Sequence, residues 1–364
     1  MKDAIQKVFS QFFPGDEKVV SVEQCYNGHI SRTFFVDTDK NRRFVMQEVN
    51  EYVFPNMDVL MKNVFAVTDF LYKKAEERRE DPSRCTLHFH KTADGKPYCR
   101  ADDGKPWRIY DFIDNAQTYN SCPDVDFFSE VGRSFGSFAK ELAEFDATQL
   151  GEVIPDFHNT ASRYEKFLDA TKKDAAGRKI GVEKEIEFVR RRKDLCEKIV
   201  KMIDHGELPV RVTHNDTKLN NILIDDETKR GICIIDLDTI MPGTVLYDFG
   251  DAIRFGASTA AEDETDLTKV EMDMGMFSAF ARGYVGELKG FITEKEIKSL
   301  PLGAIVITLE TGIRFLTDYL DGDKYFRTTY ERHNLDRARN QFKLVEDMEK
   351  KLPEMEKIIE GYMK

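Results

Sequence analysis

One short stretch brings together an imidazole, two carboxylates and an amide at a spacing that supports metal-assisted chemistry. Val212–Asp238 reads VTHNDTKLNNILIDDETKRGICIIDLD, with His214, Asp216 and Asn221 in the order His-x-Asp-x-x-x-x-Asn. Asp216 is an ionisable base, and Asn221 offers a neutral amide oxygen. Asp236 closes the apolar run Ile232–Ile235. Hard oxygen donors of this kind suit Mg²⁺, which keeps several waters and shares substrate phosphates.

Local structure must position these groups. Ile222–Ile224 and Ile232–Ile235 are apolar runs flanking a polar turn that contains Gly231, the pattern of a hairpin. With Asp225 facing Ile232, antiparallel register sets Asn221 against Asp236, with Cβ atoms ~4.5–5.5 Å apart. A slip of one residue would send the two side chains to opposite faces.

His-x-Asp-x-x-x-x-Asn is the catalytic-loop pattern of kinases, in which the Asp accepts the substrate hydroxyl proton and the Asn holds Mg²⁺. On that template Asp216 is the catalytic base, and Asn221 and Asp236 are metal ligands. Lys218 is either a donor to the moving phosphoryl group or a surface lysine paired with Asp216. A literal Asp248-Phe249-Gly250 follows later. The hairpin favours Asp236 as the second metal ligand and leaves Asp248 and Asp251 to cap or brace the loop.

The segment resembles the aminoglycoside-phosphotransferase and choline-kinase superfamily. THNDTKLNNILID followed by IIDLDTIMPGTVLYDFGDAIRFGAS is similar in particular to the N-acetylhexosamine 1-kinases, and the resemblance runs from about Gly28 to about Phe326. It implies a bilobal, protein-kinase-like α+β fold. A nucleotide-binding lobe with a small antiparallel sheet would cover residues 1–113, and a mainly helical catalytic lobe residues 114–364. It implies transfer of the ATP γ-phosphate, with Mg²⁺, to the anomeric hydroxyl of N-acetylglucosamine or N-acetylgalactosamine. The implied sugar contacts are His29, Arg314 of the segment GIRFLTDYL, and Tyr325, with Asp216 orienting the hydroxyl.

The nucleotide side is expected near the N-terminus. Strands over Lys18–Tyr26 and Thr33–Thr38 flank the turn Asn27–Ser31, which makes Gly28, Ser31 and Thr33 candidates at the ATP phosphates. The third strand, Arg43–Val49, lacks the template's phosphate-binding lysine. Gln47 or Glu48 stands there, and the clamp on the α/β-phosphates is left unassigned. A helix over Asn56–Arg79 presents Met57, Leu60, Met61, Val64, Val67, Thr68 and Leu71 on one face. Cys85–His90, Tyr98–Ala101 and Trp107–Ile113 read as a meander with Asp-Gly joints. It leads into a hinge containing Tyr110 and Phe112, whose backbone would hold adenine.

Farther on, Phe128, Val131, Phe135, Phe138, Leu142 and Phe145 form the core stripe of a helix over Asp124–Ala147. Helices follow over Ala161–Thr171, Glu183–His205, Asp266–Leu288, Thr293–Leu320, Asn334–Lys351 and Pro353–Lys364. Glu310, Arg314 and Asp318 stack on one helix face. By spacing alone they are a surface charge ladder, although their apolar neighbours could border a pocket.

Composition narrows the partners. The formal charge is −12, which argues against nucleic acid or an anionic membrane. No run of 18 apolar residues occurs, and Met1–Ser10 has no apolar signal-peptide core. The six cysteines are scattered. The expectation is a soluble, cytoplasmic, monomeric enzyme acting on a small sugar. The rivals are a kinase for choline, ethanolamine, homoserine, methylthioribose or an aminoglycoside, and a nucleotide-binding pseudokinase.

Overall fold

Alternating apolar residues near the N-terminus build one antiparallel sheet in the computed structural model, which describes residues 1–26 and 30–364. Asn27, Gly28 and His29 lie outside the described residues. The chain divides into two compact units: residues 1–118, 144–155 and 222–242, and residues 119–143, 156–221 and 243–364.

The first unit opens with α1 (Lys2–Phe12), followed by β1 (Val19–Cys25), β2 (Arg32–Thr38) and β3 (Arg43–Glu48). Then come α2 (Met57–Arg78), the single turn α3 (Pro82–Cys85), β4 (Cys99–Arg100), β5 (Pro106–Asp111) and β6 (Ala116–Gln117). The sheet order is β1-β2-β3-β5-β4. The register pairs Phe34 with Met46, Thr33 with Gln47, Gln47 with Arg108 and Phe44 with Asp111. Side chains alternate across a strand, so Phe34, Val36, Phe44, Met46, Trp107 and Ile109 share one face. They form a buried core with Ile5, Val8, Phe9 and Phe12 of α1. Thr33, Phe35, Val45, Gln47, Arg108, Tyr110 and Phe112 fall on the opposite face.

Helix α2 buries the stripe that its spacing predicts. Its Asn56 cap accepts the Val59 N–H at 3.1 Å. Buried Asn63 donates to the carbonyls of Gly151 (2.7 Å) and Ile240 (2.9 Å), fastening the two later segments of this unit to α2. The meander is shorter than expected. Residues 86–90 make only the bridge Phe89 to Tyr110, and Pro82–Cys85 is helical. The Asp-Gly joints do turn as read, with φ +83° at both Gly95 and Gly104.

The hairpin forms as β8 (Ile222–Asp225) and β9 (Gly231–Ile234), with β6 on the outer edge of β8. Its register differs from the expected one. Ile222 pairs with Ile234 and Leu223 with Cys233, and a bulge precedes the pairing of Ile224 with Gly231. Asp225 therefore does not face Ile232. The ladder ends before Asp236, which takes a left-handed conformation at φ 59°. Strand register thus does not set the Asp236 side chain.

The second unit contains α4 (Val125–Glu141), α5 (Thr160–Lys173), α6 (Glu183–Arg190), α7 (Lys193–Asp204) and the short strand β7 (Arg211–Thr213). It continues with α8 (Val245–Gly256), α9 (Met274–Leu288), α10 (Glu294–Asp321) and α11 (His333–Met363). A Cβ at Gly132 would lie 2.3 Å from the Phe280 carbonyl, so α4 and α9 pack closer than any larger residue allows. The helix expected over Glu183–His205 breaks at Arg191-Arg192, where Arg192 pairs with Glu349 of α11 at 2.7 Å. The two expected terminal helices are one, running through Pro353. An interior proline costs about 3 kcal/mol. Complete burial of Met348, Met355 and Ile359 offsets it, at about 1.5–3 kcal/mol for each such side chain.

Among the described residues, α10 alone is long and apolar enough to cross a membrane, although no uninterrupted apolar run of that length exists. Of its most apolar stretch, 78% is buried within the protein, as in the core helix of a folded domain.

Candidate active site

The catalytic-loop residues lie in the second unit, held by the first turn of α8. The Asp248 carboxylate accepts the backbone N–H groups of His214 (3.0 Å) and Asn215 (2.7 Å). Its carbonyl accepts the Thr217 hydroxyl at 2.5 Å. The literal Asp-Phe-Gly is thus a helical brace for the loop. Asn215 sits at φ 65°, which an Asn tolerates better than most residues. His214 is fully buried, its ring against the edges of Phe135 and Phe138. Its Nδ1 accepts the Asp216 N–H at 3.3 Å.

This scaffold leaves Asp216 a quarter exposed, 2.6 Å from Lys218 Nζ. The Asn221 amide nitrogen donates to the Asp216 carboxylate at 3.0 Å and to its carbonyl at 2.8 Å. Burial pushes the Asp216 carboxyl upward, but the Lys218 ammonium outweighs it, helped by His214 and Asn221. The net shift is below the usual carboxylate range. Burial lowers the Lys218 ammonium, yet Asp216 and Asp251 lift it to about 12. Both groups are therefore charged at neutral pH. With the Asn221 nitrogen turned to Asp216, its amide oxygen remains as a hard donor that fits Mg²⁺.

In the first unit, the sheet face opposite α1 gathers the residues expected at the nucleotide. Gln47 Nε2 donates to Thr33 Oγ1 at 3.1 Å. Tyr110 and Phe112 share that face, and Phe112 packs edge-on against Phe35. The Phe112 N–H donates to the Arg43 carbonyl at 3.2 Å, so its ring and carbonyl are what it can offer a base. Burial raises the Tyr110 phenol, and the nearby charges of Asp236 and Asp238 add to this. Asp236 is therefore within electrostatic reach of this face. The Ser31 hydroxyl is buried and, among the described residues, has no hydrogen-bond partner. An orphaned donor there fits a phosphate oxygen. Gly28 and His29 lie outside the described residues.

Sequence reasoning missed the cation on this face. Arg108, 2% exposed, sits opposite Gln47 in the ladder and donates to Gln47 Oε1 from Nε (2.9 Å) and Nη2 (2.7 Å). Its Nη2 also lies 2.5 Å from Asp238 Oδ1. That contact is an ion pair. The available signal was an arginine between Trp107 and Ile109, in the apolar part of its strand.

Of the acceptor candidates, Arg314 and Tyr325 lie together in the second unit. The ladder is not a surface feature, because Glu310 and Asp318 are buried. Glu310 meets His158 Nδ1 at 2.9 Å and accepts the Thr160 hydroxyl at 2.6 Å. His158 Nε2 lies 3.2 Å from the Asn215 carbonyl, tying α10 to the catalytic loop. Burial pushes Glu310 up, and the His158 charge, then Arg314, bring it below its usual value. Asp318 accepts the backbone N–H groups of Lys324, Tyr325 and Phe326 at 2.8–2.9 Å. That turn sets the half-exposed Tyr325 ring 5.8 Å from the Arg314 guanidinium. Arg314 also lies over Phe157. Arg163, likewise missed, donates to the Phe157 carbonyl at 2.9 Å. Burial and then Arg314 lower its pKa.

A small antiparallel sheet in one unit and helices in the other, with a braced His-x-Asp loop, define a kinase-like α+β phosphotransferase fold. The chain belongs to the APH phosphotransferase enzyme family, whose model matches residues 21–274. Solved structures share the fold across nearly the whole chain. A microcompartment-associated aminopropanol kinase is 16% identical with a TM-score of 0.63, covering 96% of this chain and 97% of its own. A choline kinase from Cryptosporidium parvum Iowa II is 15% identical with a TM-score of 0.61, covering 100% and 98%. An aminoglycoside phosphotransferase from Alicyclobacillus acidocaldarius is 12% identical with a TM-score of 0.60, covering 98% and 96%. At these identities the likeness is one of fold.

Proposed function

We propose that the protein transfers the γ-phosphoryl group of ATP to the anomeric hydroxyl of an N-acetylhexosamine. Asp216 orients that hydroxyl and takes its proton as the oxygen attacks the γ-phosphorus and the bond to the β-phosphate bridging oxygen breaks. Lys218, charged at neutral pH, donates to the moving phosphoryl group. Asn221 and Asp236 would hold Mg²⁺, which when bound neutralises the phosphate oxygens. Positioning and charge carry most of the barrier reduction in such reactions. Ser31, Thr33 and Gln47 serve the phosphates, with Arg108 supplying the cation that the third strand lacks. Tyr110 and Phe112 face the base. Gly28 is assigned to the phosphate turn and His29 to the sugar by resemblance alone.

The observation that carries the choice of acceptor is Arg314 beside the rings of Phe157 and Tyr325, with a second guanidinium, Arg163, held by the Phe157 carbonyl. Two guanidiniums disfavour a cationic amine, whereas an aromatic face with polar donors suits an uncharged acetamido sugar. The structural neighbours named for choline and aminopropanol make an amino alcohol the rival acceptor.

ADP release with Mg-ATP is to be measured against N-acetylglucosamine, N-acetylgalactosamine, glucose, choline, aminopropanol and kanamycin. Turnover with an acetamido sugar, abolished in its methyl glycoside, is the expected result. Turnover with choline or aminopropanol alone would discard the roles of Arg314, Tyr325 and His29 and keep those of Asp216 and Lys218. ATP binding without turnover on any acceptor would favour the non-catalytic reading.

A further inference from the structure

Outside the residues assigned to phosphoryl transfer, two histidines and a carboxylate converge on the α1 side of the sheet. The segment before the first Asp-Gly joint pairs with β5: His90 N–H donates to the Ile109 carbonyl (3.0 Å) and Asp111 N–H to the His88 carbonyl (3.1 Å). With Phe89 bridged to Tyr110, His88 stands directly across from Asp111. His90 follows two residues on, and the period of two puts both rings on the Asp111 side. His88 Nδ1 lies 2.7 Å from Asp111 Oδ2, and His90 Nε2 lies 2.7 Å from Asp111 Oδ1. One donor atom from each residue falls within 4.8 Å of the others, and among the described residues no second such group occurs.

From this geometry we infer that His88, His90 and Asp111 bind a divalent first-row transition metal ion, Zn²⁺ being the reference case. Two imidazole nitrogens and a carboxylate oxygen are a borderline donor set that prefers Zn²⁺, Co²⁺, Ni²⁺ or Cu²⁺ to Mg²⁺ or Ca²⁺. Tetrahedral Zn²⁺ with bonds of ~2.0–2.1 Å needs donors roughly 3.3 Å apart, so the three groups close by a small rotation of the outer ring. The inner ligand is prepared for this. The His90 side chain is 19% exposed and wedged edge-on between the rings of Phe13 and Phe44. His88 is half exposed, with Tyr72 beside it and Asp69 adding negative charge. The outward side leaves the fourth position to water.

The site is distinct from the one proposed for Mg-ATP. Asp111 shares its face with Phe44, Met46 and Ile109, whereas Gln47, Arg108 and Tyr110 occupy the other. A bound ion would pin residues 88–90 to the end of β5, a connection now made by one bridge and its flanking hydrogen bonds.

The test uses full-length, tag-free protein stripped with chelator and titrated at about pH 7.5, where an ordinary imidazole is mostly neutral. Co²⁺ is followed by its visible ligand-field absorption and Zn²⁺ by calorimetry. One equivalent of Co²⁺ should bind with the intensity of low-coordinate nitrogen–oxygen ligation and be displaced by Zn²⁺. His88→Ala and Asp111→Asn should each weaken binding by at least tenfold, while Asp236→Ala leaves it unchanged. His88 is exposed enough that its variant should keep the melting temperature of the metal-free protein, which separates ligand loss from misfolding. Failure to bind either ion at submillimolar concentration overturns the proposal. So does binding that survives both His88→Ala and Asp111→Asn, or that disappears in Asp236→Ala.

Discussion

Replacing Arg108 by Met tests whether the buried guanidinium of β5 stands in for the missing lysine. The substitution keeps an unbranched apolar stem and removes the guanidinium with its charge. Asp238, 5% exposed, would lose the cation 2.5 Å away, and Gln47 Oε1 would lose both its donors. Leaving one member of a buried ion pair uncompensated costs about 3–5 kcal/mol, a large share of a typical stability of ~5–15 kcal/mol. Urea denaturation of Arg108→Met should show that loss. Adding Asp238→Asn removes the orphaned charge, so the double variant should regain much of it. Function should not recover in parallel. A hydrogen bond to a charged group is worth about 1.5–3 kcal/mol, so KM for ATP should stay roughly 10–100-fold raised in both variants. Destabilisation below about 1 kcal/mol would refute the ion-pair argument. A KM for ATP that returns to normal in the double variant would refute contact with phosphate and leave Arg108 a structural residue.

Four further outcomes follow from the same geometry. Asp216→Asn should retain ATP binding and lose ~10²–10⁴ in kcat, measured by steady-state kinetics alongside nucleotide titration; wild-type turnover would remove Asp216 from its role. Because the Asp216 pKa is depressed, its base form persists below the usual carboxylate range. The kcat profile should therefore show no acid limb from Asp216 above about pH 4, and an apparent pKa near 6 that vanishes in Asp216→Asn would contradict this. His158→Ala strands the buried Glu310 charge and frees the Asn215 carbonyl. It should cost about 3–5 kcal/mol in chemical denaturation, largely relieved by Glu310→Gln in the same chain. Asp318→Ala releases the three N–H groups of the 324–326 turn. It should raise KM for the acceptor while leaving KM for ATP near its original value, and an equal rise in both would argue for general unfolding.

Periodicity and local chemistry were legible in the sequence because they depend on near neighbours. The buried stripe of α2, the core face of α4 and the twin Asp-Gly turns follow from side-chain spacing and glycine stereochemistry alone. The order His214, Asp216, Asn221 marked the loop, and the residue matches marked the family. The hairpin register was not legible, because the bulge after Leu223 and the left-handed Asp236 are set by packing. Pro353 announced a helix end that burial on both sides of it overrode.

Partners of buried polar groups were the larger omission. Arg108 meets Gln47 and Asp238, His158 meets Glu310 and Asn215, and Asn63 meets Gly151 and Ile240. Each pairing spans tens to more than a hundred residues of chain, and nothing local distinguishes such a side chain from a solvated one. The sequence alone determined which residues could do chemistry and which faces had to be buried. Only the tertiary structure decided which charges meet away from water, because an ionised group enters the interior only where the fold delivers its counter-charge and hydrogen bonds.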